Sequence, residues 1–258
     1  MNGEVVRLDT AGGVATVTLD SPANRNALSR ALLAGLEDTL NAAIADERAR
    51  LIVLTGAGPA FCSGADLKER GSVSQPGPGG PGGLVTVLKR ILGSPKPVIA
   101  RVNGPARAGG LGLIAACDIA VSVDSATFAF SEVRIGLIPA IISVVVLPKL
   151  GTAKTMELFL TGDTFSAAEA AQYGLLNAAV PADHLDERVN RYADSVLKGA
   201  PRALQGSKRL VREVPGMSIE AAFELTAAWS AEYFASEEAR EGMTAFAEKR
   251  PPRWAKAG

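Results

Sequence analysis

Two short, strongly apolar runs, residues 51–54 and 97–102, each stop at a glycine turn, Thr55-Gly56 and Asn103-Gly104. Runs of this length are too short for globular helices and read as buried strands. A third strand follows, with Ile119, Val121 and Val123 alternating. Upstream, Val5, Val6 and Leu8 lead through Thr10-Ala11-Gly12-Gly13 into residues 14–19, where Ala15, Val17 and Leu19 share one face, so an antiparallel hairpin opens the chain. Ser29 then caps a helix whose Leu32, Leu36, Leu40 and Ile44 form one apolar stripe. Strands interleaved with helices predict an α/β protein.

Later segments extend the pattern. Ser166 and Glu169 have the spacing of a capping box, with Gly174 closing that helix and residues 175–180 forming the next strand. From about Asp183 the chain reads as helical, with Ser218 and Ser236 as caps. The expected division is a core over residues 1–195 and a C-terminal helical region over 196–258. Residues 71–83, rich in Gly and Pro, predict a mobile loop that forms neither helix nor ladder.

Composition narrows the function classes. The 27 basic residues balance the 27 acidic ones, so no net field draws a nucleic-acid backbone or an anionic membrane. With a single histidine, His184, and two cysteines, Cys62 and Cys117, a zinc site of the Cys/His types and a disulfide framework are both excluded. No stretch approaches the roughly 20 apolar residues of a membrane span, and the start of the chain lacks a basic segment followed by an apolar core. A cytoplasmic location with free thiols is expected.

Among possible catalytic signals, Gly56-Ala57-Gly58 begins like a dinucleotide fingerprint, but Phe61 stands at the third glycine position. Ser63 lacks the upstream glycine of a nucleophile elbow, Cys62 reads as a buried structural thiol, and His184 reads as a solvated helix start. More informative is a pair of glycine turns, Phe61-Cys62-Ser63-Gly64-Ala65-Asp66-Leu67 and Asn103-Gly104-Pro105-Ala106-Arg107-Ala108-Gly109-Gly110-Leu111-Gly112. Each follows a buried strand and leads into a helix whose first N–H groups are unpaired. Side by side, such turns would make an oxyanion hole; alternatively, Gly109 and Gly110 only permit close packing.

These segments together resemble the crotonase superfamily, the enoyl-CoA hydratase/isomerase proteins. The similarity is carried by Asn24-Arg25-Asn26-Ala27-Leu28-Ser29, by the Gly-Ala-Asp turn within residues 61–69, by the Asn-Gly, Gly-Gly and Cys-Asp stretch over 98–118, and by residues 128–139, 161–181 and 241–254. The resemblance implies a spiral of ββα turns whose C-terminal helices build trimers, commonly paired into hexamers. Phe223, Leu225, Trp229, Tyr233, Phe234 and Phe246 give those helices more apolar surface than a thin layer needs.

The resemblance also implies roles. The oxyanion donors fall on the N–H groups of Ala65 and Gly109, and the acid/base falls on Glu132. Arg25, Ala27, Ser63, Asp66, Leu67, Gly110 and Pro139 fall among the positions that hold acyl-CoA, Arg25 as a contact to CoA phosphate. No metal or redox cofactor is implied, because CoA is part of the substrate. One departure stands out: the second glutamate of two-carboxylate hydratases corresponds to Gly112.

Gly112, with Gly136-Leu137-Ile138-Pro139-Ala140-Ile141-Ile142-Ser143, resembles a hydratase branch that acts on branched or carboxylated enoyl-CoAs, such as the methylglutaconyl-type enzymes. In that reading the missing carboxylate leaves room for a bulkier acyl group or a water. The alternatives are a 3,2-enoyl-CoA isomerase using Glu132 alone and a non-catalytic acyl-CoA-binding homologue.

Overall fold

The computed structural model describes residues 5–69 and 81–255. Nine strands and nine helices are found among them. Strands β1 (Val6–Ala11), β2 (Val14–Leu19), β3 (Leu51–Gly56), β4 (Val98–Val102), β5 (Ala106–Arg107), β6 (Ile119–Val123), β7 (Thr127–Ala129), β8 (Phe165–Ser166) and β9 (Ala178–Val180) alternate with the helices. The helices are α1 (Arg30–Ala45), α2 (Pro81–Gly93), α3 (Gly109–Ala116), α4 (Ala140–Thr161), α5 (Ala167–Gln172), α6 (Leu185–Leu197), α7 (Pro201–Glu213), α8 (Ile219–Phe234) and α9 (Glu237–Ala247).

One sheet has the order β1-β2-β3-β4-β6-β9, antiparallel only between β1 and β2. A smaller sheet runs β5-β7-β8. The chain winds as a spiral: β4, β5 and α3 make one turn, and β6, β7 and α4 make the next. Each turn gives a strand to the large sheet, a short strand to the small one, and a helix that covers them. All six residues of β3 are buried, as its uninterrupted apolar text requires. Leu32, Leu36 and Leu40 of α1 and Val87, Leu88 and Ile91 of α2 complete the core, with Phe61, Phe128 and Phe130 under the small sheet.

The predicted caps form. Ser29, Ser218 and Ser236 accept from the N–H groups of Leu32, Ala221 and Ala239, and Ser166 with Glu169 makes the reciprocal box. Two expectations need correction. The strand predicted over 175–180 starts only at Ala178, because the N–H groups of Leu175 and Leu176 turn back to the carbonyl of Ala170. Of the loop predicted over 71–83, residues 71–80 lie outside the described residues, whereas 81–83 open α2. Proline tolerates the first helical position, and burial of Val87, Leu88 and Ile91 offsets the two glycines behind it. Among the described residues no helix is long and apolar enough to cross a membrane.

Candidate active site

Four stretches of chain lie side by side at the small sheet. Leu28 bridges Ala65 and Cys62 bridges Ala106, both in parallel, and β5 pairs with β7 in parallel. Parallel neighbours leave a sheet at the same edge, so the turns after Ala65, Arg107 and Ala129 emerge together. Backbone bonds close the seam: Leu28 N–H to Gly64 O at 2.7 Å, Ser63 N–H to Arg25 O at 3.0 Å, and Arg107 N–H to Cys62 O at 3.0 Å. Gly110 permits this contact, since a Cβ there would lie 2.6 Å from the Cys62 carbonyl oxygen. The two glycine turns are therefore packed closely together, with Gly110 permitting the approach.

Two asparagines fix the seam from behind. Buried Asn26 donates through Nδ2 to the carbonyls of Ala57, Ala60 and Phe61 and accepts from Ser21 N–H. Asn103 accepts from Gly56 N–H and donates to Gly58 O. Asn26 sits at φ +56°, a conformation that asparagine tolerates better than most residues, so its clamp had a faint signal in the sequence.

Ala108 had none. It adopts φ 48°, ψ −118°, a strained conformation for alanine worth about 1–3 kcal/mol. Its N–H donates to Ala129 O at 3.1 Å and its carbonyl accepts from Leu111 N–H at 2.9 Å, which turns the chain from β5 into α3 within one residue. Gly109 then begins α3, a helix buried throughout. Among the described residues neither the Gly109 N–H nor the Ala65 N–H finds an acceptor. The partial positive charge of the helix start adds to the donor at Gly109.

Glu132 lies three residues beyond the end of β7, where it opens a single helical turn, Glu132–Ile135. The backbone carbonyl of Glu132 accepts from Leu137 N–H at 3.0 Å, which ties its loop down. Its Oε2 is hidden from solvent and, among the described residues, without a hydrogen-bond partner. Burial pushes its carboxyl above the usual carboxylate range, opposed by its own backbone N–H. A carboxyl in that state exchanges protons nearer neutral pH than a solvated one does.

The other predicted residues divide clearly. Ser63 Oγ donates to Asn24 O, and Asp66 accepts from Asn24 Nδ2 and from Lys68 N–H, so both shape the turn that presents Ala65. Ala27 is buried, Arg25 and Leu67 are exposed, and Pro139 stands buried at the head of α4. Burial pushes the Cys62 thiol up to about 12, which suits a structural role and not a nucleophile. His184 is exposed at the head of α6.

Gly112 requires a correction. Its missing side chain leaves no room, because an ideal Cβ there would lie 2.3 Å from Ile142 Cγ2, and Ile142 is only 2% exposed. The volume is occupied by an isoleucine from the first turn of α4, and nothing in the sequence marked that residue as the occupant.

This spiral, with its seam of turns and the half-buried Glu132 beyond β7, is the crotonase-like α/β fold. The chain belongs to the enoyl-CoA hydratase/isomerase family, whose sequence model matches residues 9–257. The enoyl-CoA hydratase EchA19 of Mycobacterium tuberculosis is 35% identical, over 97% of this chain and 96% of its own. The carnitinyl-CoA dehydratase of Proteus mirabilis is 34% identical, over 96% of this chain and 97% of its own. An enoyl-CoA hydratase structure from Mycobacterium smegmatis superposes with a TM-score of 0.88 at 33% identity, covering 97% of this chain and 98% of that one. The expected family, the α/β crotonase-like fold and the enoyl-CoA hydratase-like character are borne out.

Proposed function

We propose that the protein hydrates a 2-enoyl-CoA thioester, or runs that reaction in reverse. The reading rests on one observation: Glu132, whose Oε2 is hidden from solvent and without a partner among the described residues, follows β7, and β7 pairs with β5 beside the turns that carry the Ala65 and Gly109 N–H groups, neither of which finds an acceptor among the described residues. The thioester oxygen would sit between the N–H groups of Ala65 and Gly109. Ionised Glu132 would take a proton from water as the water oxygen bonds to Cβ, the alkene electron pair would move onto the thioester oxygen, and Glu132 would return the proton to Cα. Preorganised backbone donors stabilise such an enolate by roughly 3 kcal/mol each. Nothing in this chemistry calls for a metal or redox cofactor beyond the CoA of the substrate.

Gly112 at the second-carboxylate position, with Ile142 packed over it, supports a second reading, a 3,2-enoyl-CoA isomerase in which Glu132 alone carries a proton between Cα and Cγ. Wild type and Glu132→Gln, offered linear, methyl-branched and 3-enoyl CoA esters with products weighed by mass spectrometry, separate the two. Gain of one water, lost in the variant, supports the hydratase. Conversion of 3-enoyl to 2-enoyl without mass change supports the isomerase, and binding without product overturns both.

The same reading includes a homotrimer or a dimer of trimers in the cytoplasm, with residues 196–258 as the assembling region beside a 1–195 core. It is supported by α8, an apolar helix with no fully buried residue. Light scattering tests it.

A further inference from the structure

On either side of Glu132, two residues away in each direction, the chain is fastened to the C-terminal end of α4. Before it, buried Phe130 meets Phe159 of α4 edge to face, with ring centroids 4.8 Å apart. After it, Arg134 Nε donates to Gly162 O at 3.0 Å and Arg134 Nη2 donates to Asp163 Oδ1 at 2.5 Å. Gly162 caps α4 at φ 62°, and a Cβ there would meet both Arg134 Nε and Val133 Cγ1 at 3.1 Å, so the bare cap lets the turn settle onto the helix end. The guanidinium closes on a helix C-terminus, where a cation is favoured.

This clamp adds little to the fold. The Arg134 and Asp163 side chains are 57% and 65% exposed, and an ion pair so open to water contributes little stability. Phe130 already holds the end of β7 in the core. What Arg134 adds is a second fixed point, which sets the direction of the short helical turn Glu132–Ile135 between the two anchors. We propose that Arg134 is a positioning residue for Glu132, holding that turn on the end of α4 so that the carboxyl keeps a constant place relative to the reacting carbons. The proposal rests on the enoyl-CoA reading above, in which Glu132 carries the proton. A general acid/base must stand within hydrogen-bond reach of the proton it moves, and a misplacement of about 1 Å costs about 100-fold in rate. Asp163 acts one step further out, by orienting the guanidinium.

The test measures kcat and KM, on the enoyl-CoA ester that wild type turns over fastest, for Arg134→Ala, Arg134→Lys and Asp163→Ala, with melting curves alongside. Arg134→Ala is also placed in the Glu132→Gln background. Arg134→Ala is expected to lower kcat by about 10- to 100-fold with KM unchanged, while its melting midpoint stays within about 4 °C of wild type. Arg134→Lys, which keeps a cation facing Asp163, should recover part of the rate. In Glu132→Gln the same Arg134→Ala change should lower the residual rate no further, because residues that act as a unit are not additive. Should Arg134→Ala fail to fold, Arg134→Lys and Asp163→Ala carry the same comparison, since each weakens the clamp. A folded Arg134→Ala with wild-type kcat, or an equal loss with and without the Glu132 carboxyl, overturns the positioning role and leaves the enoyl-CoA reading intact. Full activity in Glu132→Gln itself overturns that reading, and the role of Arg134 with it.

Discussion

A carboxyl oxygen hidden from solvent and left without a donor is costly to ionise, and among the described residues Glu132 Oε2 is in that position. Burial raises the folded-state pKa above its ordinary value, so between the two values the folded chain holds more protons than the unfolded one. The stability from this group is full below the unfolded value and is lost as pH rises through the folded one. Glu132→Gln removes that loss. The variant is expected to melt above wild type at pH 7–8, with the gap closing toward pH 4 in calorimetric scans. It is also expected to lose about 10²- to 10⁴-fold in kcat, the usual contribution of a positioned acid/base. Opposite signs on stability and activity would mark a group kept for chemistry. A Glu132→Gln protein that melts lower at pH 8 would instead show the carboxylate to be a structural partner. The same titration places the acid limb of kcat/KM above the range of a solvated carboxylate, because the ionised form takes the proton from water.

At the scale of elements, the seam between the turns depends on backbone contacts held by a few side chains. Asn26→Ala would strip donors from the carbonyls of Ala57, Ala60 and Phe61 together. The expected loss is about 2–3 kcal/mol, read as a lower urea midpoint at unchanged slope. Asn26→Asp should cost at least as much, since it replaces the donor with a second acceptor facing the same oxygens. Gly110→Ala should also destabilise, by about 1–3 kcal/mol, because its Cβ would meet a carbonyl already bonded to Arg107. These elements were legible in the sequence to different depths. The buried strands and the Ser29, Ser166, Ser218 and Ser236 caps could be read because apolar runs and cap residues act locally. The turns after Phe61 and Asn103 could be read as glycine turns, and resemblance supplied a role for each. Ala108 could not be read, because an alanine held at positive φ by Ala129 and Leu111 looks like any other alanine. Ile142 was hidden for a related reason: that it fills the space over Gly112 depends on how closely α3 and α4 approach, which neither segment encodes alone. The strand predicted from 175 failed at its start because α5 captures two of its N–H groups.

At the scale of the whole molecule, the C-terminal helices are anchored to the core yet leave apolar surface uncovered. Lys208 and Arg212 of α7 bind Asp118 at 2.7 and 2.8 Å, and Arg50 bonds the carbonyls of Leu197, Gly199 and Trp254. Within this layer Leu225, Trp229 and Tyr233 are half-buried, with Arg209 stacked 4.2 Å over Trp229, so part of the aromatic surface predicted for assembly packs back on its own chain. A cavity of about 350 Å³ remains between α7 and α8, lined by residues that include Gly206, Leu210, Trp229 and Tyr233. Phe223 and Phe246 stay 72% and 88% exposed. Exposed aromatic side chains of this kind are what an assembling helix would offer a partner. If the covering partner is another copy, Phe223→Asp should convert the oligomer to monomer in light scattering at micromolar concentration. Its effect on the protomer itself should stay within about 0.5 kcal/mol, since so exposed a side chain contributes little to its own fold. A wild type that is monomeric under those conditions would remove the trimer. A trimer that survives Phe223→Asp would move the interface off α8 and leave that helix to another partner.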